Sequence, residues 1–206
     1  ATCPAYGIAG LSGDAINFDG QQTMLVVKQP NSIMSAMQNG GTVQMSIRPE
    51  ANMDGTQTLL RYGNSSTSSL EVRLTPEYYM AVRVGTYVYT STTAIAAGWN
   101  HIAFTYGING FTYIQNGLSN TDQTITRTVT LPVFSTYGDA QLTIGGRING
   151  ATVADPYYGG IDDITMMPSR IAMRTAFVDA RQQMAMSTTK QKISDFTVDA
   201  DVANIT

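Results

Sequence analysis

The chain has 206 residues, of which 43% are hydrophobic and 13% are charged, so it can bury a core and does not have the composition of a disordered protein. Its net charge is −3 and its 12 lysines and arginines are scattered singly, which excludes a basic stripe for nucleic acid. The single cysteine, Cys3, cannot form an internal disulfide, and no apolar run approaches the roughly 18 residues typical of a membrane span, so no membrane insertion is predicted.

The first half of the chain has the patterns of β-strands. In order, the sequence predicts strands at residues 15–18, 23–28, 42–48, 56–62, 70–75 and 79–89, separated by Gly, Asn, Ser or Pro. The clearest are 42–48 and 70–75, because their apolar and polar side chains alternate with a period of two. No helical pattern alternates with these strands, so the sequence predicts antiparallel sheets and no parallel βαβ units.

A β-hairpin is predicted in the middle of the chain, where two apolar runs flank Asn109-Gly110 within residues 98–117. Asn and Gly both tolerate the positive φ that a type I′ turn requires at its two central residues. A two-residue turn at this point pairs Tyr106 with Tyr113 on the face that is predicted to enter the core. His101, the only histidine, is predicted on the opposite and more polar face.

The last third of the chain adds strands at residues 124–129, 141–144 and 160–166 and then one helix. Apolar residues recur at helical spacing over 170–186, and Ser169 can serve as the N-cap. Ten or more strands predict an all-β, two-sheet antiparallel β-sandwich with one short C-terminal helix. The predicted organisation is an N-terminal arm at 1–14, one sandwich domain at 15–186, and a tail or added edge strand at 187–206.

Four short strings occur in an order that indicates a known family. They are residues 16–20 (INFDG), the hairpin that contains Trp99 and His101 and ends at Gly117, residues 142–146 (LTIGG) and residues 158–164 (YGGIDDI). With these strings the chain resembles the laminin-G-like, concanavalin A-like jelly-roll superfamily across roughly residues 15–186. The resemblance implies a two-sheet sandwich of a type used by lectins, adhesion modules, glucanases and several virion proteins, so the fold alone does not select the function.

The resemblance also implies calcium as the cofactor to consider, because relatives often hold Ca²⁺ at the rim with Asp carboxylates and backbone carbonyls. By position, Asp19 and Asp162 are the residues that correspond to such metal ligands. Their alternative role is to bond loop amides and fix turns without a metal. The family's turn Asp is replaced here by Asn116, which is a weaker metal ligand.

Catalytic pairs are not evident in the sequence. Retaining glycoside hydrolases need two carboxylates about 5–5.5 Å apart, but Glu71 has no acidic residue within four positions. Asp162 and Asp163 are adjacent, so on a regular strand they point to opposite faces. Composition leaves a Ser-His-Asp triad around His101 open, although no Gly-x-Ser-x-Gly string supports it. The sequence therefore predicts a protein that is not an enzyme.

Candidate ligand contacts come from aromatic and polar residues near a predicted loop. Tyr157 and Tyr158 follow the loop that starts at Asn149, where a binding rim for sugars would place stacking rings. His101 is a further candidate on its sheet face. The alternative for the tyrosines is an ordinary strand or interface role, and for His101 a structural role near Trp99.

Two functional hypotheses follow. The first is a non-enzymatic, surface-displayed assembly module, such as a virion decoration, fibre or adhesion protein, that packs against copies of itself or another protein. Sparse charge, the absence of catalytic pairs and the polar tail favour it. The alternative is a lectin-like carbohydrate-binding module that has glycans as partners and binds them with or without calcium; a glycoside hydrolase ranks third. Both main hypotheses predict an extracellular or virion-surface location, and Ala1 is compatible with loss of an initiator Met or of a secretory leader.

Overall fold

The computed structural model of this chain describes residues 3–11, 13–27, 30–50, 55–64, 68–107, 110–117 and 140–168. Within these ranges the strands are β1 (Ala5–Ala9), β2 (Asp14–Asp19), β3 (Leu25–Val27), β4 (Gly40–Pro49), β5 (Gln57–Gly63), β6 (Ser68–Leu74), β7 (Tyr79–Val84), β8 (Tyr87–Ala94), β9 (Asn100–Gly107), β10 (Gly110–Gln115), β11 (Gln141–Ile144), β12 (Arg147–Asn149), β13 (Thr152–Ala154) and β14 (Tyr158–Met167). A short helix, α1 (Asn31–Ala36), continues into a 3-10 turn at Met37–Asn39.

The described strands form two six-stranded antiparallel sheets and one small hairpin. The first sheet has the order β1-β2-β14-β4-β9-β10, the second has the order β3-β11-β5-β6-β7-β8, and β12 pairs only with β13. The predicted all-β, two-sheet architecture is therefore confirmed. Among the helices that the structure describes, none has the length and apolar character needed to cross a membrane.

The core lies between the inner faces of the two sheets. The alternation in β4 places Val43, Met45 and Ile47 inside, and the alternation in β6 does the same for Leu70, Val72 and Leu74. All six side chains are at most 1% exposed. Aromatic rings join the two layers, since the ring of Tyr89 in the second sheet lies 5.2 Å from the rings of both Phe111 and Tyr113 in the first, measured between centroids.

The α1 helix and the 3-10 turn that follows it close one end of this core. Met34 and Met37 are fully buried, and the Tyr106 hydroxyl donates a hydrogen bond of 3.2 Å to the Met37 carbonyl. The α1 helix was not predicted, because six residues give too few turns for a helical pattern to be visible in the sequence.

The central hairpin forms, but its predicted register is wrong by two residues. Gly110 pairs with Gly107, so Tyr106 faces Phe111 and not Tyr113. Side chains in a strand alternate between the two faces with a period of two, so a shift of two residues leaves every side chain on its predicted face. The core face was therefore assigned correctly, while residues 108 and 109 lie outside the described part of the chain.

Two further differences concern element boundaries. The single strand predicted at 79–89 is two strands, β7 and β8, because Gly85 adopts a φ of +58° and turns the chain between two apolar runs. The predicted arm at 1–14 contains β1, which pairs with β2. Four of the five β1 residues are exposed, so β1 has no alternation that a sequence pattern could reveal. The predicted strand at 124–129, helix at 170–186 and tail at 187–206 lie outside the described residues.

Candidate functional site

The outer face of the second sheet carries a row of side chains that crosses all six strands. Cross-strand pairing aligns them in the order Val26, Thr143, Arg61, Glu71, Arg83 and Val88. Neighbouring positions in such a row are about 4.8 Å apart, the spacing between strands. The centre of the row therefore contains both arginine and glutamate side chains. An exposed valine lies at each end, with Val26 47% and Val88 45% exposed.

Glu71 is the centre of an ion cluster in this row. Its carboxylate oxygens lie 3.6 Å from Arg61 Nε and 3.8 Å from the Nε atoms of both Arg73 and Arg83. These are ion pairs longer than ordinary hydrogen bonds. One carboxylate facing three guanidinium groups leaves the cluster with two excess positive charges. Arg73 and Arg83 keep about a third of their side-chain area exposed, whereas Arg61 and Glu71 are buried.

Arg61 is buried because the β12–β13 hairpin lies next to it on the outer face. The base of the hairpin is fixed by an ion pair of 2.6 Å between Arg147 Nε and Asp155 Oδ2, and the Asp155 carbonyl accepts a hydrogen bond from the Thr58 amide. Burial lowers the pKa of Arg61 from its usual value; Glu71 and Asp155 oppose this shift and Arg147 adds to it. Arg61 nevertheless stays cationic near neutral pH, since arginine gives up its proton only at very high pH.

A pocket of about 240 Å³ opens between the sheet and the hairpin. Its lining residues come from β5, the segment after it, β11 and the hairpin, and they are Arg61, Gly63, Asn64, Gln141, Thr143, Ile148 and Gly150. Arg61 also donates a hydrogen bond from Nη2 to the Asn64 carbonyl, which holds the guanidinium against the part of the pocket formed by Gly63 and Asn64. Drug-sized ligands fill pockets of roughly 300–1,000 Å³, so this volume suits a smaller group such as one sugar ring.

This arrangement can bind an anion. Guanidinium groups recognise carboxylates with paired N–H donors, and a buried guanidinium acts more strongly than one in bulk water. Polar side chains at the pocket rim, Asn64 and Gln141, can donate to and accept from hydroxyl groups. The chemistry present is therefore that of recognition of a small, polar, negatively charged molecule.

The outer face of the first sheet holds most of the residues that the sequence analysis selected. Tyr158 pairs with Asp19, and four residues further along β14, Asp162 lies beside Ser46, which pairs with His101. Asn149, by contrast, is exposed in the β12–β13 hairpin beside the pocket and does not line it. The structure thus divides the exposed predicted site residues between two opposite faces of the sandwich, while Tyr157 is buried in the core.

His101 does not form a catalytic triad with the residues in its row. Ser46 lies between His101 and Asp162, which places the acid roughly 10 Å from the histidine across two strand spacings. A triad requires the histidine between the serine and the acid. Burial lowers the pKa of His101, so the imidazole is neutral at pH 7.

Trp99 packs on this face over a position that only glycine can fill. A Cβ atom added to Gly160 would lie 2.9 Å from the Trp99 ring. The Arg48 guanidinium is 5.5 Å from the Trp99 ring centroid and also pairs with Glu50 at 3.3 Å. Trp99 is therefore a packing residue of the first sheet.

The two predicted metal ligands do not share a site. Asp19 and Asp162 are separated by four residues along the paired β2 and β14 strands, which is roughly 13 Å. Asp19 Oδ1 accepts hydrogen bonds from the amides of Gln21 and Thr23 and from the Thr23 hydroxyl. Partial burial raises the pKa of Asp19, but these hydrogen bonds outweigh it and the net pKa is lowered.

Asp162 is likewise engaged by the backbone. Its Oδ2 accepts a hydrogen bond from the Leu11 amide and its Oδ1 from the Asp163 amide, both at 2.9 Å. Among the described residues, no group of three or more His, Cys, Asp or Glu side chains is placed to hold a metal ion. The geometry fits the turn-fixing alternative for both residues and does not fit one calcium ion shared between them. Calcium binding elsewhere stays a prediction.

Asp163 departs from the regular alternation expected for it. The pairing of β14 with β4 shifts after Asp162, and Asp163 has a φ of +52°. Burial, followed by the charge of Asp162, raises the pKa of Asp163. Glycoside hydrolysis needs two carboxylates that act together. Both oxygens of Asp162 accept backbone hydrogen bonds, so Asp162 does not serve as the second carboxylate beside Asp163.

Tyr157 requires a correction. It was predicted to stack on sugars, but it is fully buried, its hydroxyl donates to the Gly160 carbonyl, and its ring packs edge-on against Phe18. Tyr157 directly precedes β14, and there its side chain enters the core between the two sheets. Tyr158 is half-buried, and its amide donates to Gln57 Oε1.

The arginine cluster was not predicted, because the arginines are scattered singly along the sequence. The signal was present in Glu71-x-Arg73, which puts both side chains on one face of a predicted strand. Arg61 and Arg83 could be added only with the strand pairing, because they are ten or more residues away from Glu71 along the chain.

The comparisons with known proteins agree with this fold. The Laminin_G_3 family model, described as concanavalin A-like lectin/glucanases superfamily, matches residues 19–170. Among solved structures, Ruminococcus gnavus IT-sialidase CBM40 bound to α2,3 sialyllactose is similar, with 16% identity and a TM-score of 0.65 over 80% of this chain and 95% of that chain. No curated protein matches the sequence.

Two larger sialidases are similar over a part of their length. Trypanosoma rangeli sialidase in complex with sialic acid has 16% identity and a TM-score of 0.60, over 88% of this chain and 30% of that one. The leech intramolecular trans-sialidase, complexed with 2,7-anhydro-Neu5Ac, has 16% identity and a TM-score of 0.62, over 80% and 26%. At such low identities these similarities show the fold alone.

Proposed function

Since this chain belongs to the concanavalin A-like lectin/glucanases superfamily, we propose that it is a carbohydrate-binding module for acidic glycans. The proposed binding surface is the outer face of the second sheet, with the pocket beside Arg61 as its centre. The observation that carries the proposal is the cluster in which Arg61, Arg73 and Arg83 surround the single carboxylate of Glu71.

The excess positive charge of this cluster is local, because the whole chain has a net charge of −3. An anionic sugar would therefore be attracted by these particular side chains and not by the protein as a whole. Sialic acids carry a carboxylate, and a structurally similar CBM40 is described as bound to α2,3 sialyllactose. This similarity supports the alternative hypothesis of the sequence analysis over the first one, an assembly module on a virion or cell surface.

A binding module is also favoured over a hydrolase. The structure places no second carboxylate beside Glu71 among the described residues, since the charged groups within its ion cluster are all arginines. We expect the module to act outside the cell, where sialylated glycans are exposed, and protein partners stay a prediction.

The test is calorimetric titration with α2,3-sialyllactose, with lactose as the neutral ligand. Arg73→Gln and Arg83→Gln are each expected to weaken sialyllactose binding about tenfold, because a hydrogen bond to a charged group is lost. The matched control is Arg48→Gln, since Arg48 is also an ion-paired arginine with about a third of its side chain exposed, but on the opposite face.

Binding of lactose as tight as that of sialyllactose, or equal loss in the Arg48 variant, would contradict the proposal. Repeating the wild-type titration with a chelator tests the calcium prediction separately. If calcium holds a loop of the binding surface, the chelator will weaken binding, and added Ca²⁺ will restore it.

A further inference from the structure

The chain has four Asn-Gly pairs, at residues 39–40, 109–110, 116–117 and 149–150, and the structure describes both residues of all but the second. Asparagine followed by glycine is prone to spontaneous deamidation, because glycine has no side chain to hinder attack by its own backbone nitrogen on the neighbouring side-chain amide. The three described pairs share this local chemistry. Large differences in reactivity between them must therefore come from the fold.

Deamidation makes two demands on the structure. The backbone nitrogen of the glycine gives up its proton and forms a bond to the side-chain carbon Cγ of the asparagine, and Cγ then releases Nδ2 as ammonia. Water opens the resulting five-membered imide ring and gives aspartate or, by attack at the other carbonyl, isoaspartate. The reaction therefore needs a side-chain amide that is free to rotate and a glycine N–H that is free of hydrogen bonds.

At Asn39 the backbone of the glycine is held. Asn39 is exposed, but it is the last residue of the 3-10 turn, and the N–H of the buried Gly40 donates to the Met37 carbonyl. Gly40 also packs tightly, since an added Cβ would lie 2.8 Å from the Tyr106 carbonyl oxygen. The attacking nitrogen at this site is thus already in a hydrogen bond.

At Asn116 the side-chain amide is held. Its Oδ1 accepts a hydrogen bond of 2.8 Å from the His101 amide, and its Nδ2 donates one of 2.9 Å to Asn100 Oδ1. Rotation of the amide toward the glycine nitrogen would break both hydrogen bonds and leave their partners without them. This site therefore fails the other structural demand.

Asn149 meets both demands. It ends β12 with an exposed side chain, and its side-chain amide has no hydrogen bond to any described residue. The Thr152 hydroxyl donates to the Asn149 carbonyl and leaves the side-chain amide free. Gly150 is exposed at the hairpin tip with a φ of +60°, and nothing lies within 4 Å of a Cβ added to it. Its N–H has no hydrogen-bond acceptor among the described residues.

We propose that Asn149 deamidates spontaneously in the folded protein, by attack of the Gly150 nitrogen on Cγ of Asn149. Both products carry a negative charge where the asparagine was neutral. The new charge lies between Ile148 and Gly150, which line the pocket beside Arg61. It would repel an anionic ligand from the rim of the pocket, a consequence that rests on the proposed function.

The test is peptide mass spectrometry of the full chain after incubation at mildly alkaline pH, with conversion measured at all three asparagines. In the folded protein Asn149 is expected to convert about tenfold faster or more than Asn39 and Asn116, because these two must first break hydrogen bonds. In urea the fold is lost, and the three rates should become similar. Asn149→Gln should remove the signal at this position and leave the other two unchanged.

Conversion of Asn39 or Asn116 as fast as that of Asn149 in the folded protein would overturn the proposal. A lead of Asn149 that persists undiminished in urea would also overturn it, because the fold would then not be the cause.

The effect on binding is measured by titration of Asn149→Asp and Asn149→Gln with sialyllactose. The Asp variant should bind about twofold more weakly than the neutral Gln variant, as expected for exposed charges several ångströms apart. Equal binding would overturn the effect on the ligand alone. If the wild type binds no sialyllactose, the proposed function fails, while deamidation is still decided by the mass spectra.

Discussion

Glu71 is the residue on which the charge balance of the arginine cluster depends. It is 6% exposed and faces the equally buried Arg61, as well as Arg73 and Arg83. Glu71→Gln would remove the carboxylate that pairs with the buried Arg61 guanidinium and would leave three cations near one another. We expect the variant to lose about 3 kcal/mol or more of unfolding free energy, measured by urea denaturation.

The matched control for this substitution is Glu50→Gln. Glu50 also pairs with an arginine, but its side chain is 43% exposed, so its pair with Arg48 is screened by water. The control should lose less than about 1 kcal/mol. Similar losses in the two variants would mean that burial of the Glu71 cluster has no energetic consequence.

His101 gives the fold a pH dependence of predictable sign. Burial lowers the pKa of His101, so the unfolded chain binds a proton at a pH where the folded protein does not. Unfolding is therefore favoured as the pH falls below the usual histidine value of about 6.5.

Between about pH 7 and pH 5 the wild type should lose more unfolding free energy than His101→Gln, as followed by urea denaturation at each pH. Asp19 does not disturb this window, because its lowered pKa affects stability only at more acidic pH. Parallel pH profiles of the two proteins would show that the imidazole does not contribute.

At the scale of elements, the turn from β11 to β12 is fixed by a glycine that packs on another strand. Gly145 has a φ of +82°, and a Cβ atom there would collide with the ring of the fully buried Phe18 in β2. Gly13 has a similar φ of +91°, but nothing lies within 4 Å of its added Cβ.

Gly145→Ala should therefore destabilise the protein by about 1–3 kcal/mol more than Gly13→Ala, since only the first adds overpacking to backbone strain. Thermal denaturation of both variants measures this difference. Equal losses would indicate that Phe18 moves aside without cost and that the turn depends on backbone conformation alone.

Elements were predictable from the sequence where burial imposes a pattern. β4 and β6 each have one face in the core, and their alternation predicted them correctly. β1 is nearly all exposed, and β12 and β13 have only three residues each, so none of them has a detectable period. The glycine at 85 is compatible with a strand or a turn, and only its backbone conformation shows which.

At the scale of the whole molecule, the fold was predictable and the candidate site was not. The hairpin motif with Trp99 and His101 led to the right superfamily, because its residues are local in sequence. The pocket depends on Arg61 in β5 and on Thr143 and Ile148 in the consecutive strands β11 and β12, and Thr143 is 82 residues from Arg61 along the chain. Only the order of strands in the second sheet, with β11 between β3 and β5, brings them together.

The row from Val26 to Val88 also limits how a long polysaccharide can be held. Neighbouring strands rotate relative to one another by about 20–25°, so the two ends of a six-strand row differ in direction by roughly 100–125°. A stiff sugar chain can follow only two or three of these strands before the surface curves away from it. If the chain binds sialylated glycans as proposed, additional sugars add little affinity to a single module, and firm attachment to a sialylated surface requires several modules that act through avidity.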